Sequence, residues 1–233
     1  MRLVRWLLDS LNSGIVRLLC RVDDEQMTRL PLHGPLIMLV NHVNMLEVLV
    51  LRSRLRPRRV FGLAKAETWD NPILGRIFDL WDAIPIRRGE PDLAALRRAL
   101  GVLREGHILG IAPEGTRSRH GRLQRGHPGM TTIALKSDAP LQPVVFHGGE
   151  AIVPNLRRLR RTPFHFVVGE PFTIDLHGER ATRDVRQKVT DEIMYQMAAL
   201  LPARYRGAYE DLERATQTYL RFASSPNNDA AER

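Results

Sequence analysis

From about residue 35 onward, short apolar runs alternate with stretches of helical period, and this alternation restricts the fold more than any other feature of the chain. Residues 36–40 (LIMLV) form an apolar run of the length of a buried strand, and 59–64, 83–87, 108–112, 141–146 and 164–168 are further candidates. Between them, 44–55, 72–80, 92–104 and 129–136 carry apolar residues at helical spacing, and 113–127 is a loop rich in Gly and Arg. Strands alternating with helices predict an α/β fold: a largely parallel or mixed sheet flanked by helices. Residues 182–200 and 204–222 read as C-terminal helices separated at Pro202. The length of 233 residues suits one domain with appended helices. The expected organisation is an N-terminal amphipathic helix in 1–25, an α/β domain in 26–178, C-terminal helices in 179–222 packed on it, and a polar, disordered tail in 223–233.

The first twenty residues are rich in Leu, Val, Ile and Trp, but Arg5, Asp9 and Arg17 interrupt them and no apolar run approaches the ~20 residues of a membrane span. Leu3, Leu7, Leu8, Leu11, Ile15, Leu18 and Leu19 fall near helical spacing. Such a helix either lies in a membrane interface, with Trp6 and the arginines at headgroup level, or covers the core. Cys20 is the single cysteine, which rules out an internal disulfide and fits a reducing compartment. Lys and Arg number 35 against 26 Asp and Glu, a net charge of +9, which attracts anionic membranes, phosphorylated substrates or nucleic acid without choosing among them. No recognition-helix pattern or stacking platform is visible and aromatics are 6% of the chain, so no specific nucleic-acid partner is expected. The run at 157–161 (RRLRR) is either a solvated face or a contact for anionic headgroups.

The sequence holds no G-x-S-x-G elbow, Walker A loop, G-x-G-x-x-G fingerprint or H-E-x-x-H pair, and its eight histidines do not cluster at metal-ligand spacing. His127, His147 and His165 attract no functional argument. What remains gathers at the C-terminal ends of the expected strands, where open α/β sheets bind ligands. Asn41-His42 ends the first, Arg87-Arg88 the third, and Pro113-Glu114-Gly115-Thr116-Arg117-Ser118 the fourth. A histidine in that position suits general base catalysis, since its pKa lies near working pH. Arginines there suit a phosphate, which their planar fork grips with two hydrogen bonds.

These residues resemble the motifs of the lysophosphatidate and glycerolphosphate acyltransferases. The family's N-H-x-x-x-x-D stands here as Asn41-His42-Val43-Asn44-Met45-Leu46-Glu47, and its P-E-G-T-R-S is unchanged at 113–118. Ile84-Pro85-Ile86-Arg87 is similar to a motif that ends in Arg, and Leu141-Gln142-Pro143-Val144-Val145 to a proline-bearing apolar strand. Lys65 stands where the family often has a lysine, and Gly126 lies in a further similar segment; the resemblance spans roughly 30–175. It implies that His42 takes the proton of a lysophospholipid hydroxyl, most simply that of 1-acylglycerol 3-phosphate, which then attacks the thioester of acyl-CoA or acyl carrier protein. It implies that Glu47 orients the imidazole, that Arg87, Lys65 and Arg117 hold the acceptor's phosphate, and that Asn41, Glu114, Gly115 and Thr116 shape the surrounding loops. No metal or bound cofactor is implied, the acyl donor being a substrate. The implied location is the cytoplasmic face of the cell membrane, on an anionic surface. The alternatives are a non-catalytic lipid-binding relative of the family and an acyltransferase acting on another acceptor lipid.

The chain departs from the family pattern at position 47, which is Glu rather than Asp. On a regular helix a spacing of five residues turns through 500°, which leaves two side chains about 140° apart, so His42 and Glu47 can meet only if His42 precedes the helix. Asn44-x-x-Glu47 also resembles a capping box with Asn in place of Ser or Thr, which gives Glu47 a second reading as a helix-start residue. Arg117 likewise has a second reading, as a brace for its own loop through Glu114.

Overall fold

The computed structural model describes residues 2–44, 46–89, 91–118 and 120–222, with side chains from Trp6 onward; the expected tail at 223–233 lies outside them. Nine strands form one sheet among the described residues. They are β1 (Cys20–Asp23), β2 (Leu36–Leu39), β3 (Val60–Lys65), β4 (Ala83–Ile86), β5 (Ile108–Ile111), β6 (Leu141–His147), β7 (Thr162–Val168), β8 (Phe172–Ile174) and β9 (Leu220–Phe222). The order is β1-β7-β6-β2-β5-β3-β4, with β8 paired to β6 and β9 to β8. The run from β6 to β4 is parallel throughout, whereas β7 and β8 run against β6. The architecture is therefore the expected α/β one, with a mostly parallel sheet between helices.

The parallel centre follows from the chemistry of its strands. Leu36, Ile37, Met38 and Leu39 of β2 are all buried, as a strand covered on both faces requires. Alternation then divides them. Ile37 and Leu39 meet Leu109, Leu141 and Val145 under α4 (Leu93–Arg104), α5 (Gly129–Ser137) and α7 (Arg183–Leu200). Leu36 and Met38 join Ile108, Phe146, Phe164 and Phe166 under α1 (Arg2–Leu19) and α2 (Leu46–Arg54). Helices α3 (Pro72–Leu80), capped by the Asn71 side chain, and α6 (Ile152–Arg157) complete the set.

Helix α1 packs on α2 with one side and leaves its leucines outside. Val16 is fully buried and Asn12 nearly so, its Nδ2 donating to the Leu49 carbonyl at 2.9 Å. Leu7, Leu11, Ile15 and Leu18 are exposed, between 40% and 74%. At 100° per residue these four share a stripe turned away from Asn12 and Val16. The helix thus covers the core with a minority of its apolar residues. The sheet also reaches into the expected N-terminal helical segment: β1 takes Cys20–Asp23 and pairs parallel with β7, its first residue opposite Thr162.

The second expected C-terminal helix, 204–222, does not form. Three 3₁₀ turns (Ala203–Tyr205, Gly207–Tyr209 and Leu212–Arg214) lead instead to β9, and β8 is likewise an added strand. The reason is tertiary. Gly207 sits at φ 52°, and a Cβ there would lie 2.2 Å from the Leu123 carbonyl oxygen, so the chain is pressed against the 113–127 loop in a conformation a helix cannot adopt. Farther along, buried Glu192 of α7 accepts from the Thr216 hydroxyl at 2.7 Å, the Thr218 N–H at 2.8 Å and the Tyr219 N–H at 2.9 Å. These donors are drawn to one carboxylate rather than to carbonyls four residues back. Glu192→Ala should therefore lower stability by about 1.5–3 kcal/mol in urea unfolding, the usual cost of losing bonds to a charged acceptor, with helical content preserved. A loss below about 0.5 kcal/mol, within the range of ordinary surface substitutions, would show that the strap docks without this anchor.

Candidate active site

At the end of β2 the backbone leaves the sheet, but Asn41 continues the ladder with its side chain. Its Nδ2 donates to the Phe146 carbonyl and its Oδ1 accepts the Phe146 N–H, both at 2.9 Å. An amide has the donor and acceptor needed to mimic a strand neighbour, and Asn41 is buried doing so. The chain is thereby free to turn at His42, whose carbonyl accepts the Ser118 N–H at 2.7 Å from the loop after β5.

The imidazole of His42 is held from below by Glu47. The His42 Nδ1 and Glu47 Oε2 are 3.2 Å apart, with His42 in the turn before α2, so the 140° separation of a regular helix does not arise. The other carboxylate oxygen, Oε1, accepts the Val43 N–H at 3.1 Å and the Asn44 N–H at 2.6 Å. The Asn44 side chain in turn accepts the Leu46 N–H at 2.7 Å and donates to the Gly149 carbonyl at 3.2 Å. The two readings of Glu47 are thus compatible. One oxygen tidies the start of the helix while the other faces the imidazole. Glu47 is 2% exposed, and burial pushes its carboxyl pKa up, partly countered by His42 and by the two backbone donors.

A second buried carboxylate grips the same residue by its backbone. Glu114 accepts the His42 N–H at 3.0 Å on Oε1 and the Gln124 N–H at 2.8 Å on Oε2. Burial raises its pKa as well, against the pull of those donors. Gly115 follows at φ 65°, and a Cβ there would stand 3.0 Å from the His127 ring, so the turn needs glycine for its backbone and for the space. The loop's far end is pinned at Gly126, which donates to the Tyr209 hydroxyl at 3.0 Å while Tyr209 donates to Asp191 at 2.8 Å. A Cβ at Gly126 would meet Thr190 at 2.7 Å and Met194 at 2.8 Å, so this segment lies directly on α7.

The cations emerge at the same end of the sheet. Thr116 and Arg117 are exposed on the loop after β5. Lys65 ends β3 and pairs with Glu67 at 3.0 Å, both side chains half exposed. Arg87 follows β4; its backbone N–H donates to Asp92 at 3.0 Å, and Asp92 also caps α4 through the Ala95 N–H at 2.9 Å. The strands β5, β3 and β4 lie one, two and three spacings from β2, at ~4.8 Å each, a gap that long cationic side chains and a small phosphorylated molecule can bridge together. The expected residues thus fall into two groups: His42, Glu47 and Glu114 are joined by hydrogen bonds around one turn, with Asn41 anchoring its start to Phe146, and Lys65, Arg87 and Arg117 lie on neighbouring strand ends and loops. Gln124, Gly149 and Tyr209 were not anticipated; Gln124 and Gly149 act through their backbone and Tyr209 through a hydroxyl that meets a distant loop, contacts that leave no pattern in the sequence. Asp92 did carry a signal, as a capping residue ahead of a helical stretch.

The arrangement bears on which imidazole nitrogen carries the proton. An ionised Glu47 accepts from Nδ1–H, which leaves Nε2 as a proton acceptor. In Glu47→Gln the Val43 and Asn44 N–H groups both demand the amide oxygen, so the amide NH₂ turns to Nδ1. The imidazole proton must then move to Nε2. Nitrogen-15 shifts of His42 should report the Nδ1–H tautomer in the parent and Nε2–H in the variant; the same tautomer in both would break this account. Because the folded-state pKa of Glu47 lies above its ordinary value, the parent's stability relative to the variant should be greatest in acid and fall as pH rises through the raised pKa.

Comparison with known proteins gives the family and the fold. A family model described as Acyltransferase matches residues 21–147, which include all of the turn and the three cations. The 1-acyl-sn-glycerol-3-phosphate acyltransferase of Bacillus subtilis is 28% identical over 143 residues, 61% of this chain and 69% of that protein. That of Limnanthes douglasii is 37% identical over 97 residues, 40% of this chain and 34% of the plant protein, and the chloroplastic one of Arabidopsis thaliana is 24% identical over 181 residues, 74% of this chain and 49% of its own length. The chain therefore spans half or less of these plant relatives. The crystal structure of the 1-acyl-sn-glycerophosphate acyltransferase PlsC from Thermotoga maritima has the same fold, with a TM-score of 0.58 at 20% identity over 84% of this chain and 80% of that one. The chain belongs to the acyltransferase family.

Proposed function

We propose that the chain transfers a fatty acyl group from an acyl thioester, acyl-CoA or acyl carrier protein, to the hydroxyl of a lysophospholipid, foremost 1-acylglycerol 3-phosphate, in phospholipid synthesis. The observation that carries this reading is His42, set at a strand end with Nδ1 3.2 Å from buried Glu47. The relatives named for that reaction support the acceptor.

In this reading Nε2 takes the hydroxyl proton as the oxygen attacks the thioester carbonyl. The imidazolium so formed donates through Nδ1–H to Glu47, whose charge stabilises it, as in other His–carboxylate pairs. Collapse of the tetrahedral intermediate breaks the C–S bond, and the departing thiolate takes the proton back from Nε2. Lys65, Arg87 and Arg117 hold the acceptor's phosphate, which displaces the Glu67 carboxylate from Lys65 on entry. Glu114 and Gly115 set the loop that bounds the pocket, with Thr116 at its lip. The protein works as a peripheral enzyme on the cytoplasmic face of an anionic membrane. Among the described residues no helix is long and apolar enough to cross a bilayer, and the outward stripe of α1 offers an interfacial attachment.

His42→Ala should reduce kcat by about 10²–10⁴ while the unfolding midpoint stays within that of ordinary surface variants, because the ring contributes little to the core. Near-normal kcat in the folded variant would end the mechanism. Arg87→Ala should weaken the phosphorylated acceptor by about 1.5–3 kcal/mol, read as a rise in its KM with the thioester's KM unchanged. Equal acceptor KM in variant and parent would remove Arg87 from the site.

A further inference from the structure

The segment between β6 and β7 carries an apolar ridge that the fold does not use. Val153 and Leu156 of α6 are half exposed, and Leu159, just beyond its end, is 94% exposed. The three are spaced i, i+3, i+6. Leu159 also holds a left-handed backbone at φ 51°, where glycine or asparagine would sit without strain. That turn is closed by the N–H groups of Arg158, Leu159 and Arg160 donating to the carbonyls of Asn155 and Leu156. A leucine kept there, strained in its backbone and with its side chain in solvent, is not explained by packing.

The charges beside the ridge are as uneven as its exposure. Arg157, Arg158 and Arg160 are exposed around it. Arg161 belongs to the fold instead: its Nε donates to the Cys20 carbonyl at 3.0 Å. That bond, with the pairing of Cys20 opposite Thr162, brings the C-terminal end of α1 alongside the exit of this segment. The entry is tied to the site, since Asn44 donates to Gly149 three residues before α6 begins.

We infer that Val153, Leu156 and Leu159 insert into an anionic bilayer, with Arg157, Arg158 and Arg160 on the lipid phosphates, as a second attachment that turns the His42 end of the sheet toward the membrane. The inference rests on the membrane part of the proposed function and deepens it. An apolar ridge rimmed by arginines is the composition of an interfacial element, and stable attachment generally takes two signals; α1 supplies the other. An acidic carrier protein would also find the arginines, but it leaves the exposed leucines of the ridge and of α1 without a purpose.

The test uses the full chain and two variants, Leu156→Ser/Leu159→Ser and Arg157→Gln/Arg158→Gln/Arg160→Gln, with Leu32→Ser as a control. Leu32 is 76% exposed, between Leu156 and Leu159, but precedes β2, at the opposite end of the sheet. Co-sedimentation is measured with phosphatidylcholine vesicles with and without phosphatidylglycerol, so binding is read without turnover and stands apart from any failure of the acyltransferase reading. Both variants should bind the anionic vesicles at least ~10-fold more weakly than parent and control. The glutamine variant should lose the salt-sensitive part of binding and the serine variant the salt-insensitive part, with thermal melts unchanged. Parental vesicle binding by the serine variant would overturn the inference. So would intact vesicle binding with slower turnover confined to a carrier-protein donor, which would make the ridge a protein-docking face.

Discussion

The carboxylate of Glu47 divides its two oxygens between the backbone and the imidazole, and the rest of the site is arranged around that division. Oε1 collects the N–H groups of Val43 and Asn44, which the start of α2 would otherwise leave unpaired in a partly buried turn. Doing so fixes the carboxyl plane and delivers Oε2 to Nδ1. A side chain that served only the helix would leave the ring free to rotate. One that served only the ring would leave the turn without its two anchors. The position is thus constrained twice.

This turn has to be held because it interrupts a strand at the centre of a parallel sheet. Four neighbouring strands, β2, β5, β3 and β4, end at one edge, and each sends a charged segment past it. That grouping follows from parallel pairing: crossovers return the chain through helices, so all C-terminal strand ends face the same way. Asn41 keeps the sheet closed up to its last position, and Ser118 ties the β5 loop to the His42 carbonyl. The loop is then anchored at its other end on α7 and the C-terminal strap, through Gly126 and Tyr209. Residues more than eighty positions away from His42 along the chain therefore help to place it, through packing rather than through any contact with the imidazole.

Much of this was legible in the sequence, and the exceptions share a cause. The central strands and the helices between them were marked by apolar runs of the right length, because burial on both faces leaves no room for polar residues. His42, Glu47 and Glu114 were marked by motif, and Glu47 carried two readings because Asn44-x-x-Glu47 also has the form of a capping box, a local pattern that does not report which way the second carboxylate oxygen faces. The outlying strands β1, β8 and β9 are three or four residues long and half exposed, too short for an alternation to register. The stretch 204–222 had helical spacing but is held by Glu192 and by its press against Leu123, bonds from distant parts of the chain that local period cannot report. The direction of the α1 leucines was equally hidden, since an apolar stripe has the same period whether it faces a core or a bilayer.

Two buried carboxylates beside one histidine are costly at rest, and burial raises the pKa of each. The structure offsets that cost with backbone N–H groups, two on Glu47 and two on Glu114, one of the latter from His42 itself. Neutral donors relieve the desolvation without cancelling the charge, which a lysine or arginine in their place would do. Glu114 therefore contributes more than a loop contact: it holds the backbone N–H of the residue whose ring Glu47 meets at Nδ1, so the two carboxylates fix one histidine from its main chain and from its side chain.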